Sequence, residues 1–481
     1  MTRLEKLLLL GILLLALFVR LYKLETPLAD WHSWRQADTA AVTRRYTNEG
    51  INLLRPKYDD VSNIPSGKDN PQGYRMVEFP IINGFTAFLY QTIPLASQLE
   101  IHVFSRLISI TFSLGSIIFL YLLVNLLSGK LEAIFTTLVF AILPYNVYYS
   151  RTILPEIPLV FFSLAALFFL TKWFLSKNHT LKSPSYWASI IAAGLALLLK
   201  PYAIFLILPI LYLSIRECSD NLLKDKKSYL FLLLVFAPFI LWRFWIQQFP
   251  EGIPAFMWLL NGNSIRFKGA FFRWIFAERI GKLILGYWGL ILLGLGLIKK
   301  TNSKEGWFYH WWLIAILAYF TVFATGNVQH DYYQIISIPI ISIFVAKGIA
   351  FLIKAPKKYN LSLITCLLLL VTSCTFAMAF SWFEIRGFYN INNPAIVEAG
   401  RVVDQLTKPD ALVIAPYGGD TAFLYQTNRR GWPIGGEIND KIEKGARYYV
   451  STSYDDETKE LSKTYQVVEQ TDKYTLIQLQ D

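Results

Sequence analysis

The run VFSRLISITFSLGSIIFLYLLVNLL, residues 103–127, decides the class of this protein, because 25 predominantly apolar residues can cross a bilayer as one helix. Hydrophobic residues make up 54% of the chain and charged residues only 17%, a composition too apolar for an ordinary soluble protein. The sequence predicts an all-α polytopic membrane protein with about eleven spans. The predicted spans are residues 6–22, 103–127, 131–149, 157–175, 186–200, 202–215, 228–247, 283–298, 307–325, 333–353 and 360–382.

The short loops between these runs carry clusters of basic residues, and the chain has a net charge of +12. Basic clusters in short loops are typical of the cytoplasmic side of a membrane protein. Because no basic helix or aromatic platform stands outside the membrane segments, we expect no nucleic-acid partner. The first apolar run lacks a small-residue cleavage site, so we expect it to be retained as an anchor.

Two segments decide the topology: residues 79–97, which contain two prolines, and the pair Lys200-Pro201. If the first lies on the membrane without crossing it, and the second is a turn between two short spans, all the basic clusters face the cytoplasm. The N-terminus is then on the cytoplasmic side of the inner (plasma) membrane and the C-terminus is external. Changing both assignments together keeps most of this pattern. The clusters are Arg3/Lys6, Lys130, Lys172/Lys177/Lys182, Arg216/Lys224/Lys226/Lys227, Lys299/Lys300/Lys304 and Lys354/Lys357/Lys358.

Residues 384–481 mix polar and apolar residues and have the pattern of a small α/β domain. We expect a transmembrane catalytic domain at 1–383, with an external loop at 23–102, followed by this external (periplasmic) domain. The pattern in the C-terminal domain predicts a helix at 394–406 and strands at 411–415, 448–452 and 474–479.

Three carboxylates fall in segments that this topology places outside the membrane. Asp38 belongs to Asp30-Trp-His-Ser-Trp-Arg-Gln-Ala-Asp38-Thr39, Glu78 precedes Phe-Pro, and Glu156 ends Arg151-Thr-Ile-Leu-Pro-Glu156. A positioned, partly desolvated carboxylate suits general-base catalysis, which we expect of Asp38. The alternative for Asp38 and Glu78 is an acid at a helix start, stabilised by the helix dipole. If two or three of these acids converge, a divalent cation with oxygen ligands fits them chemically, although the pattern requires no cofactor.

Basic and aromatic residues on the same predicted face suit the binding of a phosphate group. Lys200 ends an apolar run, where it could also be a lysine whose charge extends to the interface. Interfacial aromatic residues are equally often membrane anchors, and Trp34 and Arg35 fit either an anchor or a sugar site. The candidates for phosphate binding are Lys200, Arg151, His330, Tyr332 and Tyr333.

The order of these motifs resembles the GT-C glycosyltransferases, above all the bacterial branches of the protein O-mannosyltransferase family (family 39) and the lipid A aminoarabinose transferase-like enzymes. The shared order is a first-loop acid, acid-Phe-Pro, Arg-x-x-x-Pro-acid-x-Pro, a lysine at a span end, and His-Asp-Tyr-Tyr before a late span. The resemblance covers residues 1 to about 350. The chain departs from it in having a single acid, Asp38, where relatives have adjacent acids, which leaves Asp30 as a reserve candidate.

This resemblance implies an integral-membrane enzyme that transfers a sugar, with inversion, from a polyprenyl-phosphate donor to an acceptor hydroxyl. It implies site roles for Asp38, Glu78 and Glu156, and phosphate binding for Lys200. The acceptor is a glycan, a lipid or a protein, and membrane lipids are further partners. A transporter or flippase for lipid-linked sugars is the first alternative, although no internal repeat supports it. An enzyme of the O-antigen ligase or polymerase type is the second.

Overall fold

The computed structural model describes residues 2–176, 179–218 and 225–480. Lys177 and Lys224, two of the residues predicted to face the cytoplasm, lie outside these ranges. The chain forms two compact units, each of which combines several parts of the sequence. The first unit contains residues 1–22, 109–242 and 256–387, and the second contains residues 23–108, 243–255 and 388–481.

Each predicted span corresponds to a helix or to two successive helices. Among the described residues, five helices are long and apolar enough to cross a membrane, a bent pair adds a sixth, and two more are apolar but shorter. The fold is therefore that of a multi-pass membrane protein. The helices of these regions are Arg3–Arg20, Ile101–Leu127, Lys130–Ile142, Pro144–Tyr149, Glu156–Phe174, Pro184–Leu199, Pro201–Leu206, Ile207–Cys218, Lys226–Trp245, Trp258–Asn261, Gly262–Phe267, Gly269–Phe272, Arg273–Ile284, Gly289–Ile298, Phe308–Val322, Ala324–Gln329, Asp331–Ser337, Ile338–Tyr359, Leu363–Ile385 and Arg386–Tyr389.

The prediction of one continuous span at 283–298 is wrong at its start. A π-helix ends at Ile284, and Gly289–Ile298 follows after a bend of 114°. Gly286 has φ +50°, in the left-handed region, and a Cβ there would lie 2.3 Å from the carbonyl oxygen of Ala377. Glycine permits this bend because it has no side chain to clash, and hydropathy alone does not register such a requirement.

Both segments that decide the topology have the local structure predicted for them. The helix within 79–97 is Ile81–Thr92, whose 12 residues extend roughly 18 Å, less than the roughly 30 Å of bilayer hydrocarbon. Helix Pro184–Leu199 ends at Lys200, which is extended with φ −151° and ψ 124°. A 3₁₀ turn starts at Pro201, so residues 186–215 form two helices separated at Lys200.

The second unit contains a mixed five-stranded sheet, whose strands are β1 (Leu412–Ile414), β2 (Arg430–Trp432), β3 (Ala446–Ser451), β4 (Gln466–Gln470) and β5 (Thr475–Gln478). Its spatial order is β2-β1-β3-β5-β4, with β1 parallel to β2 and β3, and β5 antiparallel to β3 and β4. The predicted helix and the three predicted strands are confirmed, whereas the three-residue β2 and the half-polar edge strand β4 were not predicted. The unit's helices are Ser33–Glu49, Ile81–Thr92, Ala96–Gln98, Ile246–Gln248, Pro250–Gly252, Pro394–Leu406, Thr421–Gln426, Ile438–Glu443 and Asp456–Thr464.

The polar loop after the first span packs with these C-terminal elements. Helix Ser33–Glu49 lies against helix Thr421–Gln426, and the Arg44 guanidinium lies 4.0 Å from the ring centroid of Tyr425. Arg44 also forms an ion pair with Asp59, which is almost fully buried. We expected this loop to belong to the membrane domain, but it lies in one compact unit with the C-terminal residues 388–481.

Candidate active site

A buried ion pair stands at the start of helix Glu156–Phe174 in the first unit. Glu156 occupies the first helical position after Pro155, where the helix dipole favours a carboxylate. Lys200 Nζ lies 3.0 Å from Glu156 Oε1, and the Tyr202 hydroxyl donates to the same oxygen at 3.1 Å. Because Lys200 leaves helical geometry just before Pro201, its side chain and that of Tyr202 reach the same carboxylate.

The second oxygen of this carboxylate is open. Glu156 has no solvent exposure, yet within the described chain its Oε2 has no hydrogen-bond partner. A buried carboxylate oxygen without a donor is costly, by about 1–3 kcal/mol, and ionisable groups within membrane proteins are usually functional. The arrangement leaves one oxygen of a fixed, paired carboxylate able to accept a hydrogen bond from a ligand.

A second acidic group lies in the same unit at Asp331. The Tyr149 hydroxyl donates to Asp331 Oδ1, and the Tyr145 hydroxyl donates to the backbone oxygen of Asp331. An Arg279 terminal nitrogen lies 3.8 Å from Asp331 Oδ2. Asp331 thus ties the helix that contains both tyrosines to the segment that opens the late span.

Aromatic side chains connect the Glu156 and Asp331 groups. The rings of Tyr202 and Tyr319 have centroids 4.7 Å apart, and the Tyr319 hydroxyl donates to the backbone oxygen of Tyr333 at 3.1 Å. His330 stacks on Tyr332 with centroids 5.4 Å apart. A continuous series of side-chain contacts therefore links the predicted candidates Lys200, Glu156, His330, Tyr332 and Tyr333.

Arg151 precedes Glu156 in the short turn between two helices. Its side chain is fully buried, and its guanidinium carbon lies 5.3 Å from the ring centroid of Tyr148. The turn is closed by the Thr152 hydroxyl, which donates to the backbone oxygen of Tyr149 at 2.6 Å. A buried guanidinium on this turn adds a permanent positive charge to the first unit.

An apolar cavity of about 210 Å³ lies farther along the same helix. Leu167 and Leu170 of helix Glu156–Phe174 line it together with side chains from the four helices that follow. Lys227 and Tyr186 also line it, beside a wall that is almost entirely apolar. One helix therefore carries a charged group at its start and an apolar cavity along its later turns.

Asp38 lies in the second unit, and the structure corrects its place in its helix. The helix begins at Ser33, so Asp38 lies in its second turn and not at its start. Arg75 Nη2 lies 2.7 Å from Asp38 Oδ2, and the Thr421 hydroxyl donates to Asp38 Oδ1 at 2.7 Å. Both carboxylate oxygens are therefore held, one by a guanidinium and one by a hydroxyl.

The other candidates of the first loop are paired in the same unit. Glu78 forms an ion pair with Arg35, so the arginine that was predicted for a sugar site is paired with a carboxylate. Trp34 accepts at its backbone oxygen from the Thr421 hydroxyl, at 3.2 Å. The reserve candidate Asp30 is fully buried, accepts a hydrogen bond from Gln36 at 2.9 Å and lies 3.5 Å from Arg106. These contacts are typical of a structural role.

Burial raises the pKa of two further carboxyls of the second unit. Burial raises the pKa of Asp60 to about 6, against the hydrogen bonds from Ser62 that lower it. Burial likewise raises the pKa of Asp420 to about 6. Asp420 caps helix Thr421–Gln426 by accepting from the backbone N–H of Ala422 at 2.7 Å, a role hidden in a Gly-Gly-Asp stretch that reads only as a turn.

The predicted acids divide between the units. Asp38 and Glu78 lie in the second unit and Glu156 in the first, so their convergence on one substrate stays a prediction. In the part of the chain that the structure describes, no group of three or more His, Cys, Asp or Glu side chains is placed to hold a metal ion. Residues that the sequence analysis did not select are Tyr202, Asp331, Arg279, Arg75 and Thr421.

Comparison with known proteins agrees with this architecture. Residues 94–245 match the family model described as dolichyl-phosphate-mannose-protein mannosyltransferase. This match includes the Arg151–Glu156 turn and Lys200, but it covers less than half of the chain. No curated protein sequence matches the chain.

Two solved structures are similar to the chain over nearly its whole length. ArnT from Cupriavidus metallidurans bound to undecaprenyl phosphate is 13% identical, with a TM-score of 0.67 over 98% of this chain and 97% of that one. The oligosaccharyltransferase AglB from Archaeoglobus fulgidus, in complex with an inhibitory peptide and a dolichol-phosphate, is 12% identical, with a TM-score of 0.56 over 94% of this chain and 70% of that one. The fold is the GT-C fold, with a small C-terminal sheet domain.

Proposed function

We propose that this chain, which has the GT-C fold, transfers a sugar from a polyprenyl-phosphate donor to an acceptor hydroxyl at the external face of the membrane, with inversion. One observation carries the proposal: helix Glu156–Phe174 begins at a buried charged cluster and lines an apolar cavity along its later turns. A ligand that suits such a unit has a charged head and a hydrocarbon tail. The lipid phosphates bound by ArnT and AglB have this character.

The proposed chemistry is a single displacement at the anomeric carbon. The bond from that carbon to the phosphate oxygen breaks, and its electron pair leaves with the polyprenyl phosphate. The acceptor oxygen bonds to the carbon from the opposite side and gives up its proton. Lys200 and Arg151 supply fixed positive charge for the departing phosphate, which lowers the barrier because they are already oriented and desolvated.

Asp38 is the proposed base for the acceptor proton. Its carboxylate is almost fully buried, and Arg75 and Thr421 hold it in one orientation. A positioned carboxylate of this kind contributes roughly 10²–10⁴-fold to a reaction. For Glu156 we propose two tasks, to hold Lys200 in place through Oε1 and to accept a substrate hydrogen bond at Oε2.

The test uses the full-length protein, purified in detergent, with undecaprenyl-phosphate mannose, glucose or aminoarabinose as the donor. Lipid A and a Ser/Thr-rich peptide serve as acceptors, and mass spectrometry follows the release of undecaprenyl phosphate. We expect release with at least one donor, and a roughly thousandfold loss in Asp38→Asn. Asp69→Asn, which neutralises an exposed aspartate paired with Lys444, is the matched control and should keep wild-type turnover.

Two results would count against this assignment. Undiminished turnover by Asp38→Asn would reject the base role while leaving the transferase activity intact. Binding of the donors without release of undecaprenyl phosphate from any of them would reject the transferase and favour a carrier of lipid-linked sugars.

A further inference from the structure

Helix Thr421–Gln426 of the C-terminal segment places a hydroxyl on the proposed base. The Thr421 side chain is buried, and its Oγ1 lies 2.7 Å from Asp38 Oδ1 and 3.2 Å from the backbone oxygen of Trp34. These two acceptors belong to the same helix, one turn apart, so the hydroxyl lies within hydrogen-bond distance of both the carboxylate and the carbonyl one turn before it.

A threonine hydroxyl has one proton and can donate to only one of these acceptors at a time. While Asp38 is ionised, its oxygen is the stronger acceptor, and the shorter distance agrees with a bond to it. Once Asp38 carries a proton, the acid can donate to Thr421 Oγ1, and the hydroxyl can turn its own proton to the Trp34 carbonyl. Both protonation states of Asp38 are thus satisfied without movement of the backbone.

We propose that Thr421 is a positioning residue for Asp38, whose hydroxyl changes acceptor when Asp38 takes up a proton and so keeps the carboxyl group in place through the reaction. This gives the C-terminal domain a part in catalysis. The inference rests on the proposed function in one respect only, namely that Asp38 is the base.

Several charged and titratable groups of the second unit interact with Asp38. Arg75 pairs with Asp38 Oδ2, and the charge of Asp38 acts on Asp60, Asp420 and Tyr58. None of these groups touches Oδ1 in the described residues, where Thr421 is the hydrogen-bond donor. A change at Thr421 therefore acts on an oxygen that Arg75 does not hold.

The test compares Thr421→Val, which has the same shape without the hydroxyl, with Thr421→Ser, which keeps it. Transfer rates per folded, monodisperse protein are measured from pH 5 to 9 with the donors named above. We expect the transfer rate of Thr421→Val to fall roughly thirtyfold, the effect of one hydrogen bond to a charged group, and the acid limb of its pH–rate profile to move to higher pH. Thr421→Ser should restore both the rate and the profile.

Thr475→Val is the matched control. Thr475 is a buried threonine of β5 whose hydroxyl has no partner in the described part of the chain, so its removal should change neither rate nor profile. If Thr421→Val is not recovered in folded form, Thr421→Cys replaces it, because a thiol is a much weaker donor of similar size. Wild-type behaviour of these variants, or an equal loss in Thr421→Ser, would overturn the proposal.

A second measurement separates this proposal from the proposed function. Thermal unfolding of Thr421→Val, Asp38→Ala and the double variant forms a cycle that needs no substrate. We expect Thr421→Val to lower the unfolding midpoint of the wild type but to have little effect in the Asp38→Ala background. Additive shifts would overturn the Thr421–Asp38 coupling even in an active enzyme, whereas a coupled cycle in a protein without transfer would overturn only the proposed function.

Discussion

Among the described residues, two buried lysine–glutamate pairs of the first unit differ in how their carboxylate oxygens are hydrogen-bonded. Glu305 Oε1 binds Lys347, and its Oε2 accepts from the Ser128 hydroxyl at 2.6 Å. In the other pair, Glu156 Oε1 receives both the Lys200 ammonium and the Tyr202 hydroxyl. Glu156 Oε2 is left without a donor in the described chain.

The difference separates a structural pair from a candidate site. Burying an ion pair is costly, and the cost is offset only when the remaining hydrogen-bonding positions are also satisfied, as they are at Glu305. Glu156 concentrates its donors on one oxygen and leaves the other without a donor in the described chain, which is the oxygen that we propose accepts a hydrogen bond from the substrate.

The largest effect is expected at Glu305. Glu305→Gln leaves Lys347, which is 2% exposed, without its anion, and breaking a buried pair in this way costs about 3–5 kcal/mol. Thermal unfolding in detergent should show a clearly lower midpoint. The transfer rate per folded molecule should stay within about twofold of wild type; a loss as large as that of a Glu156 variant would contradict the structural assignment.

Lys200→Met should act in the opposite way, because its main effect should be on the transfer rate. Removing a preorganised positive charge from a departing phosphate costs about 3–4 kcal/mol, which is a loss of several hundredfold in rate. Release of undecaprenyl phosphate measures it, and Lys200→Arg should recover part of the rate because it restores the charge. Lys299→Met, which breaks a lysine pair with Glu132 at 2.7 Å, is the control that should retain turnover.

Much of this architecture could be predicted, because helices and strands follow from local patterns. The apolar runs gave the helices, and the break at Lys200 followed from the proline after it. Hydropathy missed the bend at Gly286, since the bend depends on a close approach to Ala377. It also missed the three-residue β2, which is too short to show an alternating pattern.

The partners of the candidate residues could not be predicted, because they are distant in sequence. Glu156 and Lys200 were both selected, yet nothing in the sequence joins residues 44 positions apart into an ion pair. Thr421 lies 383 positions from Asp38 and follows a stretch that reads as a turn. The resemblance to a known family identified which acids to examine, and packing decided what holds each one.

Asp60 offers a third kind of buried acid, one whose oxygens accept from the neutral Tyr58 hydroxyl and Ser62 N–H. Burial raises its pKa from 3.8 to about 6. The folded protein therefore binds the proton more tightly than the unfolded chain, and the resulting stability is present below about pH 4 and lost as pH rises through 6. The contribution is about 3 kcal/mol.

The measurement is the unfolding midpoint of wild type and Asp60→Asn at pH 4.5 and pH 8. Asparagine does not titrate in this range, so the unfolding midpoint of the variant should rise relative to that of wild type as the pH increases. Parallel curves would show that Asp60 does not titrate within this window.

The smallest effect is expected from Glu156→Gln, and it tests the comparison most directly. Glutamine keeps an oxygen that can accept a hydrogen bond from Tyr202, but it removes the negative charge that holds Lys200. At the position of the open Oε2 it places either a neutral, weaker acceptor oxygen or an amide nitrogen, which cannot accept. We expect a roughly thirtyfold loss of transfer, about 2 kcal/mol, the value of a hydrogen bond to a charged group. The loss should persist at saturating donor, because the interaction is needed in the reaction and not only in binding.

Glu305→Gln is the control for this variant, since it makes the same chemical change at the other buried pair. If both variants lost stability and neither lost activity, the open oxygen of Glu156 would have no functional meaning. If Glu156→Gln lost activity while Glu305→Gln lost only stability, the number of hydrogen-bond donors on a buried carboxylate would distinguish a functional group from a structural ion pair. That result would also make Glu156 the first residue to test for contact with the acceptor, ahead of the buried acids whose oxygens all have donors.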